Sequence, residues 1–194
     1  MKRNTGAFVW ITLIAVVLIP LIASATSPLL EWRDPIYIVA GFSGVVAMVM
    51  LLFQPLLAVA YLPGVSAIQG KRFHRWVGLA VALSLTIHIV GLWITSPPDM
   101  IDALLFASPT PFSIWGVTAM WAVIGTVILA LFRRQLRLRP PTWKLLHKSL
   151  AVIIVFGSVL HAVLIDGTMG FVSKLLLCGV VVLAVLLSLF KVKT

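Results

Sequence analysis

Apolar residues run along this chain in six long blocks, at about 8–26, 36–61, 73–95, 113–132, 145–165 and 171–190, and the charged positions crowd into the short stretches between them. Each block approaches or exceeds the roughly 20 residues that a helix needs to cross a bilayer. Backbone groups in lipid must be satisfied within their own segment, so the blocks predict helices. Pro63 and Gly64 break the chain after the second block, Pro140 and Pro141 stop the basic loop before the fifth, and Gly167 with Gly170 turn it into the sixth. The longest connection, from Ser96 to Phe112, carries an apolar patch of Met100, Ile101, Leu104, Leu105 and Phe106, which suits a short helix on the membrane surface. Trp10, Trp32, Trp76, Trp93, Trp115 and Trp143 fall near block ends, where an indole serves as a headgroup anchor.

Composition agrees with this pattern. Of 194 residues 61% are hydrophobic and 10% charged, and the mean hydropathy of +1.15 lies outside the range of soluble domains. The expectation is an all-α integral membrane protein, a six-transmembrane-helix bundle forming a single domain over residues 1–194. The net charge of +10 does not point to nucleic acid, because it is dispersed in short loops. With a cytoplasmic N-terminus, Lys2, Arg3, Lys71, Arg72, Arg75, Arg133, Arg134, Arg137, Arg139, Lys144, Lys148, Lys191 and Lys193 all fall inside. Only Arg33 and Lys174 fall outside, together with all five acids, Glu31, Asp34, Asp99, Asp102 and Asp166. One orientation therefore sorts nearly every charge, and both termini are expected in the cytoplasm. The first block, preceded by Met-Lys-Arg-Asn and followed by Ala23-Ser24-Ala25, also has the form of a signal peptide. Cys178, the only cysteine, permits neither an internal disulfide nor a C-x-x-C-H attachment of c-type haem.

The four histidines are the departure from this apolar pattern. HRWVGLAVALSLTIH, from His74 to His88, and HKSLAVIIVFGSVLH, from His147 to His161, place them in two pairs, each fourteen positions apart. Fourteen helical steps return a side chain to within roughly 40° of its starting direction and raise it by about 21 Å. The third and fifth spans run in the same direction, so His74 and His147 share the inner level and His88 and His161 the outer one. Polar groups inside a bilayer usually face the bundle interior and meet a specific partner. One metal ion cannot join ligands about 21 Å apart, and two histidines make a poor zinc site. Haem fits better, because its macrocycle leaves two axial positions for one imidazole from each helix. Gly78 and Gly157, each four residues from a histidine, either leave room for a flat macrocycle or let helices pack closely.

The H-R-x12-H and H-K-x12-H segments, with W-x-x-x-H from Trp143 to His147, resemble the ferric reductase-like transmembrane domain. That domain is shared by ferric reductases, NADPH oxidases and the haem subunit of the bacterial periplasmic methionine sulfoxide reductase. The resemblance runs over about residues 36–190. It implies two stacked b-type haems, with iron held by His74 and His147 at the inner site and by His88 and His161 at the outer. Arg72, Arg75 and Lys148 are candidates for the inner haem carboxylates, and Arg33 and Lys174 for the outer. Ferric reductases and NADPH oxidases continue into a cytosolic flavin and nucleotide domain, whereas this chain ends at Thr194 and carries no G-x-G-x-x-G. The electron donor is therefore expected to be separate, a flavoprotein reductase, a flavin bound at the membrane or a quinol. The arginines from Arg133 to Arg139 either attract an acidic donor or serve topology alone. The expected role is electron transfer to an extracytoplasmic acceptor, such as ferric iron, oxygen or a redox enzyme, in a bacterial inner membrane. Asp99 and Asp102 could gather ferric iron but are also explained by charge sorting. The alternative is a non-redox transporter or assembly scaffold with structural histidines.

Overall fold

The structure, a computed structural model, describes residues 2–190, with side chains from Thr5 onward. Lys191 and Lys193 lie outside the described residues, as do the side chains of Lys2 and Arg3. The described residues are helical, without a strand, and six of the helices are long and apolar enough to cross a membrane. They form two compact units.

The first unit contains α1 (Lys2–Ala25), a 3₁₀ turn at Pro28–Leu30, α2 (Pro35–Ala58), α3 (Ala67–Thr95) and the last helix, α7 (Phe171–Phe190). Asp34 caps α2 by accepting the Ile36 N–H at 2.7 Å, and Pro35 supplies the first helical position, where its missing donor is harmless. The apolar run continues to residue 61, yet α2 ends at Ala58. Ala60 takes a left-handed conformation, φ 52°, and the Tyr61 N–H returns to the Leu56 carbonyl at 3.0 Å, a Schellman closure without glycine. Conversely, α3 begins six residues before its apolar block. Ser66 and Gln69 form a reciprocal capping box, the Ser66 N–H donating to Gln69 Oε1 at 2.9 Å and the Gln69 N–H to Ser66 Oγ at 3.3 Å. This polar signal starts the helix ahead of the hydrophobic one.

α2 and α3 approach closely at two glycines. A Cβ on Gly70 would lie 2.7 Å from the Leu57 carbonyl oxygen, and one on Gly91 2.7 Å from the Ala40 Cβ. Small residues permit this backbone approach, which gives dispersion contact where lipid offers no hydrophobic gain. α1 and α7 pack on α2, and Leu52, Leu177 and Val181 are fully buried. Trp10 donates to the Pro63 carbonyl at 3.2 Å. Ser24, the middle residue of the Ala23-Ser24-Ala25 triplet, is helical and buried, with its hydroxyl 2.5 Å from that of Thr168.

The second unit holds α4 (Pro97–Leu104), α5 (Ser113–Leu131) and α6 (Pro140–Leu164). α4 is the short helix foreseen between the third and fourth blocks; it buries Met100 and leaves Ile101 exposed, with Leu105 and Phe106 just beyond its end also exposed. α6 also departs from the expected start. Pro140 and Pro141 open the helix rather than preceding it, because proline is favoured at the first helical position. Trp143 and Lys144 thereby become helical, one turn ahead of His147 and Lys148.

Candidate functional site

α3 carries His74 and His88, α6 carries His147 and His161, and all four are half-buried. Three of them share one local geometry. His74 Nδ1 lies 3.0 Å from the Gln54 carbonyl oxygen and His88 Nδ1 2.7 Å from that of Ala40, both on α2. His161 Nδ1 lies 3.0 Å from the Phe112 carbonyl oxygen at the start of α5. A carbonyl only accepts, so each Nδ1 carries the proton, and in the neutral imidazole each Nε2 keeps its lone pair. This is how a second hydrogen bond fixes the tautomer and ring direction of a metal-ligating histidine.

The sequence reading missed the residues that build these clamps. In a helix the carbonyl of residue i is covered by residue i+4, so a side chain at i+4 crowds any third partner. Four residues after Ala40 stands Gly44, and four after Phe112 stands Gly116. A Cβ on Gly44 would sit 3.0 Å from His88 Nδ1, and one on Gly116 only 2.7 Å from His161 Nδ1. The Phe112 carbonyl accepts from both the Gly116 N–H, at 3.2 Å, and His161. At His74 the clamp is reciprocal, because Gln54 also donates its side-chain amide to the His74 carbonyl at 3.3 Å. The available signal was an acceptor spacing equal to the ligand spacing, since Ala40 and Gln54 are fourteen positions apart like His88 and His74.

His147 is oriented by a ring. Trp143, one turn earlier, stacks on it with centroids 5.1 Å apart and planes 7° from parallel. The Arg133 guanidinium lies 4.3 Å from the indole centre. Trp143, grouped with the headgroup anchors and also part of the W-x-x-x-H motif in the sequence, thus stacks directly on His147.

The other candidates are less concentrated. Arg72 and Arg75 are exposed and line a groove with Trp76 and Leu79, a face of α3 roughly 150° around the helix from His74. Lys148 is exposed beside His147. Arg33 lies 5.1 Å above the Tyr37 ring, while Lys174 is buried in the first turn of α7. The two glycines singled out from the sequence separate. A Cβ on Gly157 would meet the Trp115 carbonyl oxygen at 2.8 Å, so this glycine serves close packing of α6 on α5, whereas Gly78 faces only the Gln54 amide nitrogen at 3.4 Å. Phe156 packs edge-on against Trp115.

Among the described residues no three of His, Cys, Asp and Glu gather as they would around a bare metal ion. The site instead offers single imidazoles, three with a defined Nε2 lone pair, and the buried Trp143 Nε1, a donor with no hydrogen-bond partner among the described residues. Imidazole nitrogens are the donors that a haem iron accepts, and a free indole N–H suits a group that brings acceptors of its own.

Six helices long and apolar enough to cross a membrane, two of them carrying the four histidines, define an integral membrane protein. The family described as ferric reductase like transmembrane component matches residues 40–158, more than half of the chain, and the chain belongs to it. The matched segment contains His74, His88 and His147 and stops three residues before His161, narrower than the 36–190 suggested by the motifs. Comparisons with curated proteins and with solved structures gave no match. Domains of this family commonly bind haem.

Proposed function

We propose that the chain carries electrons across the membrane by way of two b-type haems, His74 and His147 ligating one iron and His88 and His161 the other. Haem, when bound, supplies a one-electron ferric–ferrous couple. The observation that carries this reading is the common Nδ1-to-carbonyl bond of His74, His88 and His161, which leaves Nε2 as the ligating atom. The carbonyls of Gln54, Ala40 and Phe112 hold the imidazole planes, and Gly44 and Gly116 leave them room. With one imidazole from each of two helices holding an iron, no position would remain open, and the acceptor would take electrons without becoming an iron ligand. Arg72, Arg75 and Lys148 are proposed counter-charges for the inner carboxylates, and Arg33 and Lys174 for the outer. The positive-inside charge pattern supports donation at the cytoplasmic side, by a separate flavoprotein, a bound flavin or a quinol, to an extracytoplasmic acceptor.

The visible spectrum of the purified protein tests this reading. A sharp reduced α-band of six-coordinate b haem, at about two haems per chain, is expected. Colourless protein from cells supplied with haem would remove the proposal in favour of a transporter or scaffold.

A further inference from the structure

An indole that anchors a helix at the headgroup level keeps its N–H in contact with water or lipid headgroups. Trp143 does not. Its Nε1 is buried and has no hydrogen-bond partner among the described residues. Native proteins rarely leave a buried donor in that state, because it has lost water and gained nothing. The same indole lies parallel to His147 and within 4.3 Å of the Arg133 guanidinium, so its position is fixed by two planar neighbours. A rigid, buried and unused donor beside a candidate ligand is what a bound acceptor requires. The strong acceptors on the rim of a b-type haem are its two carboxylates.

Resting on the haem reading above, we propose that Trp143 is a positioning residue for the group ligated by His147: its ring sets the imidazole plane and its N–H donates to a carboxylate of that haem. Arg133 holds the indole and brings a permanent positive charge to within about 9 Å of the imidazole. A donated hydrogen bond to the carboxylate and a nearby cation both oppose the extra positive charge of ferric iron. Losing either favours the oxidised form and lowers the midpoint potential.

Potentiometric titration of haem-loaded wild type, W143F, R133Q and H147L tests this. W143F keeps an aromatic ring that can stack while removing the N–H together with part of the indole, and R133Q alters an exposed residue. Both variants should retain two haems and shift one midpoint downward, by a few-fold to tenfold in the ferric–ferrous equilibrium, tenfold being about 59 mV for one electron. The shifted haem should be the one that H147L removes. Unmoved midpoints in both variants, at full haem content, would overturn the proposal and leave the two-haem reading standing, as would a shift of the haem that survives H147L. Colourless wild type would reject both. Should W143F not fold, R133Q decides alone.

Discussion

In the α2–α3 pair both imidazoles donate through Nδ1 to backbone carbonyls of the preceding helix, at Gln54 and Ala40. In the α5–α6 pair His161 repeats this at Phe112, while His147 is stacked by Trp143 from its own helix. The two devices draw on different levels of structure. A carbonyl clamp needs two helices in register, and two of the three also have a glycine where the imidazole enters, Gly44 and Gly116, so it is a product of packing. A stack between residues four apart is built into the helix itself and forms wherever the helix does. α6 can therefore orient His147 locally but depends on α5 to orient His161.

The sharpest way to break this comparison is to fill the cradles. Gly116→Ala would place a Cβ 2.7 Å from His161 Nδ1 and 3.0 Å from its Cε1. The ring must leave the carbonyl, at a cost of about 2–4 kcal/mol from overpacking and a lost hydrogen bond. Gly44→Ala, with the corresponding distances at 3.0 and 3.2 Å, should cost less, about 1–2 kcal/mol. Reversible unfolding in detergent measures both, and equal effects would mean that the cradles do not set the ring positions.

Next come the two glycines that the sequence treats alike. Gly157→Ala presses on a backbone oxygen at 2.8 Å and on the Ala119 Cβ at 3.1 Å, and should destabilise by about 1–3 kcal/mol. Gly78→Ala meets only the end of a flexible side chain and gains helix propensity, so stability within about 0.5 kcal/mol of wild type is expected from thermal melts. A modest effect is expected for Gln54→Leu. It removes the side-chain amide bond to the His74 carbonyl but keeps the backbone acceptor, a loss of about 0.5–1 kcal/mol. A larger loss, with His74 perturbed, would show that the amide holds the clamp.

The spans were legible in the sequence because lipid imposes a length and a polarity that hydropathy reports directly. Their ends were less so, for identifiable reasons. α3 starts at a Ser66–Gln69 capping box, α6 starts on Pro140, and α2 stops where Ala60 turns left-handed, none of which hydropathy registers. The histidine pairs stood out by spacing alone, and helical periodicity placed both members of each pair near one face. Their clamps did not, since a backbone carbonyl has no residue signature and Gly44 and Gly116 read as ordinary small residues in apolar helices. Trp143 was visible but ambiguous: its position near a helix end suits an anchor, and only the burial of Nε1 and the stack on His147 separate the two roles.

The most direct measurement of the central claim is haem content and reduced spectra for His74→Leu, His88→Leu, His147→Leu and His161→Leu, with the double variants His74→Leu/His147→Leu and His88→Leu/His161→Leu. Ligands on one helix stand about 21 Å apart along its axis, whereas one iron needs both nitrogens at about 2 Å. His74→Leu and His147→Leu should therefore remove or convert the same haem, His88→Leu and His161→Leu the other, and each double variant should be no worse than its more damaging single. Loss of one and the same haem in His74→Leu and His88→Leu, with the other intact, would contradict the account.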